Sequence, residues 1–596
     1  MIAELFEAQA AATPLAVALR FDGACVTYET LNRRANQLAR YLKKHGVRPE
    51  VAVGVCLPLG IDLVVAALAV AKAGAVYIGI DDGWPAARIS DVLDDSAVAT
   101  ALGFADDSRA TLGRGGMLCL KSHASRIAAE PIENLGCAAA PDSLASVTYT
   151  SGSTGTPKGV MVTVRSAINR MEWMWRTYPF REGDVALMYR SSASVGFSWD
   201  CFGALLRGVP TVIHSAVDPR NPAGIVAASI AHGVSLLTAS AGLWEAILDE
   251  VERQPAGWPS LRLARTTGEP LRPALLARWQ CLFPGAPIVN IYGATECSGS
   301  MACDASALDA GSVTRIPVGT PIPHVHAYVV DDQMRMLGIG EVGEVCIGGA
   351  SVARGYRGRP ALTAERFIPS PAGTTPGAVV VRTGDTGCWR ADGQLELHGR
   401  RDLQVKIRGF RVELEEVETA LCACAGVRAA AVRADPTADG VQLIAFLESA
   451  RESLSLHDLR AALLGRLPAH MVPSALAHVD ALPRTATGKI DRPELRSLRG
   501  RWLEATAEFA APATASEVAL ATIWQDVLGV EQIALDDGFF DLGGHSMTGM
   551  RILSRVHDTF GIELPLGALY DAPSVRALAT AIDTARQMVT IGGAAL

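Results

Sequence analysis

Apolar residues recur at helical spacing over residues 30–44, at Leu31, Ala35, Leu38 and Leu42, and Gly46 follows as a stop. Residues 51–57 then read as a buried strand, so the chain opens on an α/β alternation. Residues 61–71 form the most apolar run and predict a buried helix ending near Lys72. A short β-type run at 143–149 leads straight into a loop of Gly, Ser and Thr. The first residues, with Ile2, Ala3, Leu5 and Phe6 around Glu4, read as the start of an amphipathic helix and not as a cleavable leader.

Two stretches interrupt the alternation. Between Gly384 and Arg411 the chain is dense in Gly, Arg and Asp, including G-R-R-D at 399–402, which predicts a boundary near Asp402. Residues 500–515 are rich in Ala, Thr and Pro without an apolar period and read as a linker. Beyond it, Ser516 is expected to cap a helix with the apolar face Val518, Leu520, Ile523, Trp524, Val527 and Leu528, closed by Gly529; another helix is expected after His545. The predicted organisation is a large layered α/β core at 1–401, a smaller mobile α+β subdomain at 402–499, the linker, and a small helical bundle at 516–586. Internal repeats are not found.

Composition narrows the partners. A chain of 596 residues with 49% hydrophobic and 19% charged residues buries several cores and is not a disordered polymer. The balance of 54 Lys plus Arg against 62 Asp plus Glu, with no basic run, argues against a nucleic-acid partner. The longest apolar run falls well short of the roughly 20 residues that cross a bilayer, so no membrane partner and a cytoplasmic location are expected. The 12 cysteines are scattered, with Cys422 and Cys424 too close for a zinc knuckle, and read as reduced core thiols.

The densest chemical signal is Y-T-S-G-S-T-G-T-P-K-G-V at 149–160. Small residues at Thr150, Ser151, Gly152, Ser153, Thr154 and Gly155 let backbone N–H groups and hydroxyls approach an anion, and Lys158 adds charge. By itself such a loop is more often a flexible surface loop than a phosphate site, and it is not the P-loop pattern.

This loop resembles the signature of the adenylate-forming superfamily and, in detail, the adenylation domains of nonribosomal peptide synthetases. The resemblance continues in T-Y-E-T-L-N-R-R-A-N-Q-L-A from Thr27, A-K-A-G-A-V-Y-I-G-I-D ending at Asp81, N-I-Y-G-A-T-E from Asn290 and G-E-V-C-I-G-G-A-S-V-A-R-G-Y from Gly343. It extends through R-T-G-D from Arg382, G-R-R-D-L-Q-V-K-I-R-G-F-R-V-E-L from Gly399, L-P-A-H-M-V-P from Leu467 and T-G-K-I-D-R from Thr487. A last motif, D-G-F-F-D-L-G-G-H-S-M at 537–547, resembles the carrier-domain site at which 4'-phosphopantetheine is attached, here to Ser546.

The resemblance implies a two-step reaction. A carboxylate, a poor electrophile, is joined to AMP from ATP with loss of pyrophosphate, then passed to the pantetheine thiol as a thioester. In this pattern Tyr292 stacks on adenine, Thr295 contacts the nucleotide, Glu296 helps hold Mg²⁺, Asp385 grips the ribose hydroxyls and Arg400 lies close by; Gly268, Glu269, Pro270, Asn290 and Gly293 complete the nucleotide site. Lys489 bridges the attacking carboxylate and the α-phosphate, and the subdomain carrying it turns about the hinge Asp402.

The same pattern assigns the acid pocket to Val195, Gly196, Trp199, Leu237, Arg265, Thr267, Ile291, Gly299 and Ser300. Relatives that take α-amino acids place an Asp where Val195 stands, and an unpaired buried ammonium costs several kcal/mol. The expected substrate is therefore not an ordinary α-amino acid; a β-amino acid is favoured, with a keto, hydroxy or aryl acid as the alternative. Yet the carboxylates of β-alanine activators are missing at Gly196 and Ser300, and an inward Arg265 would favour an acidic or carbonyl-rich tail. Competing readings are an acyl-CoA ligase, which has no use for Ser546, and a carrier-only scaffold, which would not need Lys158, Glu296 or Lys489. The resemblance implies a phosphopantetheinyl transferase, a condensing or tailoring enzyme acting in trans for natural-product biosynthesis, and in some relatives a small helper protein.

Overall fold

The computed structural model describes all residues except 105–115, 137–138, 153–155, 215–220, 255–256, 374–376, 408, 438–439, 450–453, 486–489, 504–509, 531, 540–541, 543, 545, 563, 565–567 and 593–596. Short segments apart, the chain divides into two compact units, Met1 to Arg411 and Val412 to Leu596.

In the first unit the apolar periodicity becomes helices packed on sheets. Thr27 caps the helix Tyr28–Lys44, and Leu31, Ala35, Leu38 and Leu42 are all buried on its inner face. The apolar run forms the helix Ile61–Lys72, buried nearly all round, as a helix without a polar face must be. Its last residue goes in with it: the Lys72 side chain is fully buried and its ammonium meets Glu7 Oε1 of the helix Ile2–Ala12 at 2.5 Å. Burial lowers the pKa of this lysine against the pull of Glu7.

These helices cover a six-stranded sheet whose middle strands, including Ala52–Val55 and Val76–Gly79, run parallel, as strands joined by helical crossovers do. It ends in an antiparallel pair, Leu144–Thr150 with Lys158–Thr163, in which Thr150 stands opposite Lys158. The nine-stranded sheet sets Leu236–Ala239, Leu263–Thr267 and Ile288–Tyr292 side by side and parallel, with Thr267 opposite Ile291. A five-stranded sheet pairs Val379–Trp389 with Leu395–Arg400, so that Asp385 faces Arg400.

In the second unit a four-stranded sheet is built from Val427–Thr437, Gly440–Ser449, Ala475–Val479 and Arg501–Trp502. The last of these adds an edge strand at the start of the stretch read as a linker. The helices Ala515–Leu528, Ser546–Phe560, Ala568–Asp571 and Val575–Gly592 close around a separate core of Trp524, Phe539, Ile552, Leu569 and Ile582. Two expectations are corrected here. Thr514, not Ser516, caps the helix through a capping box with Glu517, while the Ser516 hydroxyl turns inward to donate to Asp583 at 2.6 Å. Val518, assigned to the apolar face, is 48% exposed; at 3.6 residues per turn it falls on the side of the helix away from the buried Leu520, Ile523 and Trp524.

Among the described residues 11 cysteines are free thiols. No described helix is long and apolar enough to cross a membrane.

Candidate functional site

The Gly/Ser/Thr loop leaves the sheet at Thr150 and returns at Lys158, so strand pairing fixes both ends. Residues 153–155 of the loop lie outside the described residues. Ser151 Oγ donates to the carbonyl of Arg411 at 2.8 Å, and a Cβ on Gly152 would fall 2.2 Å from the Thr156 carbonyl, so this position has no room for a side chain. Thr150 Oγ1 is buried with no hydrogen-bond partner. An orphaned hydroxyl beside a buried lysine suits an anion such as a phosphate.

Lys158 is buried and its ammonium lies 5.5 Å from the centroid of the Tyr356 ring. The Tyr356 hydroxyl donates to Glu296 Oε1 at 2.6 Å, and Arg411 Nη1 contacts Glu296 Oε1 and Oε2 at 2.7 and 2.8 Å. Burial works to raise the pKa of Glu296, but Arg411, Lys158 and Tyr356 together hold it down to about 2. Glu296 is thus ionised with both oxygens engaged. Among the described residues no group of three or more His, Cys, Asp or Glu could cage a metal. A single carboxylate fits an ion held chiefly by phosphate oxygens and water, as Mg²⁺ commonly is.

Glu296 sits in the single turn Thr295–Cys297 just beyond the strand Ile288–Tyr292, whose last residue heads a second network. The buried Tyr292 hydroxyl donates to Asp385 Oδ2 at 2.6 Å, and Arg400 Nη1 donates to Asp385 Oδ1 at 2.6 Å. Arg400 continues to Asp402 through Nε at 2.7 Å and Nη2 at 2.9 Å. Burial raises and Arg400 lowers the pKa of Asp402, with a net fall. Gly384, at φ +76, is required here, because a Cβ would meet Asp402 Oδ2 at 2.6 Å.

The other residues assigned to the nucleotide are placed less uniformly. Glu269 accepts from the backbone N–H of Gly409 at 2.7 Å and of Gly242 at 2.9 Å, with Gly268 packed against Gly409. Asn290 spends its amide on the Pro317 carbonyl at 2.9 Å, Gly293 packs tightly against Gly299, and Pro270 is exposed.

Around the acid pocket, Val195, Trp199 and Ser298 line one cavity together with Arg170. Leu237 and Ile291 are buried in the core on the two strands that flank Leu263–Thr267, and the Ser300 hydroxyl is taken up by the Cys297 carbonyl at 2.6 Å. Arg265 does turn inward: it is 5% exposed and its guanidinium carbon lies 4.7 Å from the Trp199 ring centroid. Sequence reasoning missed its neighbours. Arg190 Nε approaches Asp200 Oδ2 at 3.0 Å, and Arg170 Nη1 donates to Ser298 Oγ at 3.2 Å. The only hints were Gly196 and Gly299: a Cβ on Gly196 would fall 1.9 Å from Arg190 Nη1, and one on Gly299 2.6 Å from Arg170 Cδ. Arg411 and Tyr356, each inside a recognised motif, and Asp200, next to the pocket residue Trp199, were likewise missed as site residues.

In the carrier segment the helix Ser546–Phe560 begins at the serine singled out by its motif. The turn before it packs on Phe539, whose carbonyl accepts from the Gly544 N–H at 2.8 Å; a Cβ on Gly544 would lie 2.3 Å from that carbonyl. The side chain of Ser546, and Lys489 altogether, lie outside the described residues.

Three family models match the chain: AMP-binding enzyme over residues 6–357, AMP-binding enzyme C-terminal domain over 416–489, and phosphopantetheine attachment site over 518–582. The chain belongs to the AMP-binding enzymes, and its fold and family are those of an acid–AMP ligase that uses ATP, Mg²⁺ and 4'-phosphopantetheine. More narrowly, it is a nonribosomal peptide synthetase adenylation domain joined to a carrier domain. It is 38% identical over 581 residues to tyrocidine synthase 3 of Brevibacillus parabrevis, covering 97% of this chain and 9% of that protein. Bacitracin synthase 3 of Bacillus licheniformis is 36% identical over 588 residues, 98% of this chain and 9% of that one. The chain therefore spans only a small part of the length of these relatives. Among solved structures, an artificially fused adenylation–PCP di-domain from Klebsiella oxytoca matches at a TM-score of 0.71 with 27% identity, over 80% of this chain and 93% of that one. The adenylation and PCP protein PA1221 shares the fold at a TM-score of 0.80, with 24% identity over 97% and 96% of the two chains.

Proposed function

We propose that the chain activates one small carboxylic acid that is not an α-amino acid and loads it on its own Ser546. The observation that carries this reading is the buried convergence of Lys158, Glu296 and the orphaned Thr150 hydroxyl at the two ends of the Gly/Ser/Thr loop. In the first step a carboxylate oxygen of the acid attacks the α-phosphorus of ATP and pyrophosphate leaves. Lys158 and the loop from Thr150 to Gly155 neutralise the phosphates, and Lys489 steadies the charge that gathers at the α-phosphate. Asp385, held from both sides by Tyr292 and Arg400, is oriented to accept the ribose hydroxyls, while Gly268, Glu269, Asn290, Gly293 and Thr295 shape the remaining wall. Glu296 would hold Mg²⁺ by exchanging part of its contact with Arg411. When attached, phosphopantetheine supplies the thiol that attacks the acyl carbon and displaces AMP. The subdomain boundary is assigned to the hinge Asp402, and the reaction to the cytoplasm, where ATP is supplied.

The charges around the pocket favour an acid without an ammonium over the β-amino acid expected from sequence. Val195 offers no counter-charge, and Asp200 already faces Arg190, with Arg265 and Arg170 near it. A phosphopantetheinyl transferase and a downstream condensing or tailoring enzyme complete the proposal; a helper protein belongs to it only by the resemblance.

The test is acid-dependent ATP–pyrophosphate exchange over α-amino, β-amino, keto, hydroxy, aryl and dicarboxylic acids, followed by intact mass of the pantetheinylated chain. Exchange with one acid, whose mass appears on the wild type but not on Ser546→Ala, supports both steps. Exchange without loading would refute the carrier assignment. Preference for an α-amino acid by the wild type, with no gain of α-amino acid turnover in Val195→Asp, would refute the substrate class.

A further inference from the structure

Three arginines meet beneath the acid pocket: Arg170 from the helix Val164–Thr177, Arg190 from just beyond the strand Ala186–Met188, and Arg265 from the strand Leu263–Thr267. Arg170 and Arg265 are 8% and 5% exposed, and the Arg190 side chain 11%. Arg265 senses both of the others, Arg170 senses Arg190, and all three sense Asp200, the one carboxylate in their shared surroundings among the described residues. Burial lowers Arg265 to about 9 and Arg170 to about 10, still charged at neutral pH, and raises Asp200 to about 6 against the three arginines, so that it is mostly ionised there. The cluster therefore carries three positive charges against one negative.

Its hydrogen bonding is as incomplete as its charge. A guanidinium has five N–H donors. Arg190 donates to the Thr238 carbonyl at 3.0 Å and Arg170 to Ser298 Oγ, while Nε of Arg170 and of Arg265 is buried without an acceptor. Burying donors and cations without partners is costly, and a fold that needed these arginines only for packing would pair them. Instead, two pocket positions are glycines, and the space a side chain would take at each is occupied by guanidinium or arginine stem. Arg170 itself lines the cavity with Val195, Trp199 and Ser298.

We infer that the activated acid carries a second anionic group, a distal carboxylate in the simplest case, held by Arg170, Arg190 and Arg265. This rests on the adenylation reading above and names its substrate class. A carboxylate presents about four acceptor sites, supplies the missing negative charge, and matches the fork of a guanidinium. The three arginines are binding residues for that distal group; the carboxylate that reacts is the other one. An ammonium-bearing tail is repelled by the same charges.

The experiment is ATP–pyrophosphate exchange by the full pantetheinylated chain with matched acids of equal chain length: succinate against butanoate, glutarate against pentanoate, adipate against hexanoate, with β-alanine as the cationic control. One diacid is expected to exceed its monoacid partner in kcat/KM by at least about 100-fold, because a site built around polar groups rejects the analogue that leaves them unpaired. In Arg265→Gln and Arg190→Gln that ratio should collapse toward unity through a rise in the KM of the diacid. The wild-type ratio alone decides the matter if a variant fails to fold. Preference for a monoacid or for β-alanine would overturn the inference and leave the adenylation reading standing, as would variants that lower both series equally. Exchange with no acid of any class would overturn both.

Discussion

Replacing Tyr292 by Phe removes one oxygen from the nucleotide side of the site and keeps the ring. In the wild type that oxygen donates to Asp385 Oδ2 at 2.6 Å while Arg400 holds Oδ1, also at 2.6 Å, so the carboxylate is clamped in a single orientation. A hydrogen bond to a charged group contributes about 1.5–3 kcal/mol, and the low end applies because Arg400 remains. If Asp385 must be oriented before the ribose can be gripped, the loss of about 1.5 kcal/mol becomes a roughly tenfold rise in the KM for ATP, since 1.4 kcal/mol is a factor of ten. The KM for the acid and kcat should change by less than about threefold, the oxygen being engaged with Asp385 and not assigned to the reacting atoms. The assay is ATP–pyrophosphate exchange at saturating acid with ATP varied, run in parallel on Tyr292→Leu, which also loses the stacking surface and should raise the KM further. An unchanged KM for ATP in the Phe variant, or equal effects in the Phe and Leu variants, would refute the assigned division between clamp and stacking surface.

Glu296 is held near 2 against an ordinary value of 4.5, so its ionised form stabilises the fold fully above pH 4.5 and progressively less as pH falls toward 2; the shift corresponds to about 3 kcal/mol. Denaturant titrations of wild type and Glu296→Gln should accordingly differ most above pH 5 and converge in acid. Glu7→Ala leaves the Lys72 ammonium buried without its partner and should lower the stability of the first unit by about 3–5 kcal/mol, with much of the loss recovered when Lys72→Met is added. Thr514→Ala removes the capping box of the carrier helix and should cost about 1 kcal/mol, read by calorimetry as a fall of several degrees in the carrier transition with the adenylation transition unmoved.

What could be read from the sequence was whatever depends on neighbours along the chain. The helix Tyr28–Lys44 follows from the spacing of Leu31, Ala35, Leu38 and Leu42, and the burial of the Ile61–Lys72 helix from its lack of a polar face. Local reading failed where two candidates compete for one role: Thr514 and Ser516 are both capping residues, and the choice is made by Glu517 in the first turn and by Asp583, a residue 67 positions away that claims the Ser516 hydroxyl. Motif resemblance named Tyr292, Asp385, Arg400 and Asp402 singly, but not the continuous bonding that makes them one element. The arginine cluster was least visible, because Arg170 answers Gly299 and Arg190 answers Gly196 only after folding brings helix, strand and loop together.

The two halves of the cleft differ in how their charges are settled. On the nucleotide side Glu296, Asp385 and Asp402 each meet a cation: Glu296 has Arg411 and Lys158, Asp385 has Arg400, and Asp402 shares that same arginine. A satisfied network of this kind is rigid, and a common nucleotide can be received by geometry prepared in advance. On the acid side Arg170, Arg190 and Arg265 share, among the described residues, the single carboxylate of Asp200, so the pocket retains positive charge and unused donors until an anion arrives. Selectivity then follows from the cost of leaving those groups unmatched: a neutral acid of the right shape fits the space but leaves the guanidinium groups buried and unpaired, whereas a diacid relieves both deficits at once.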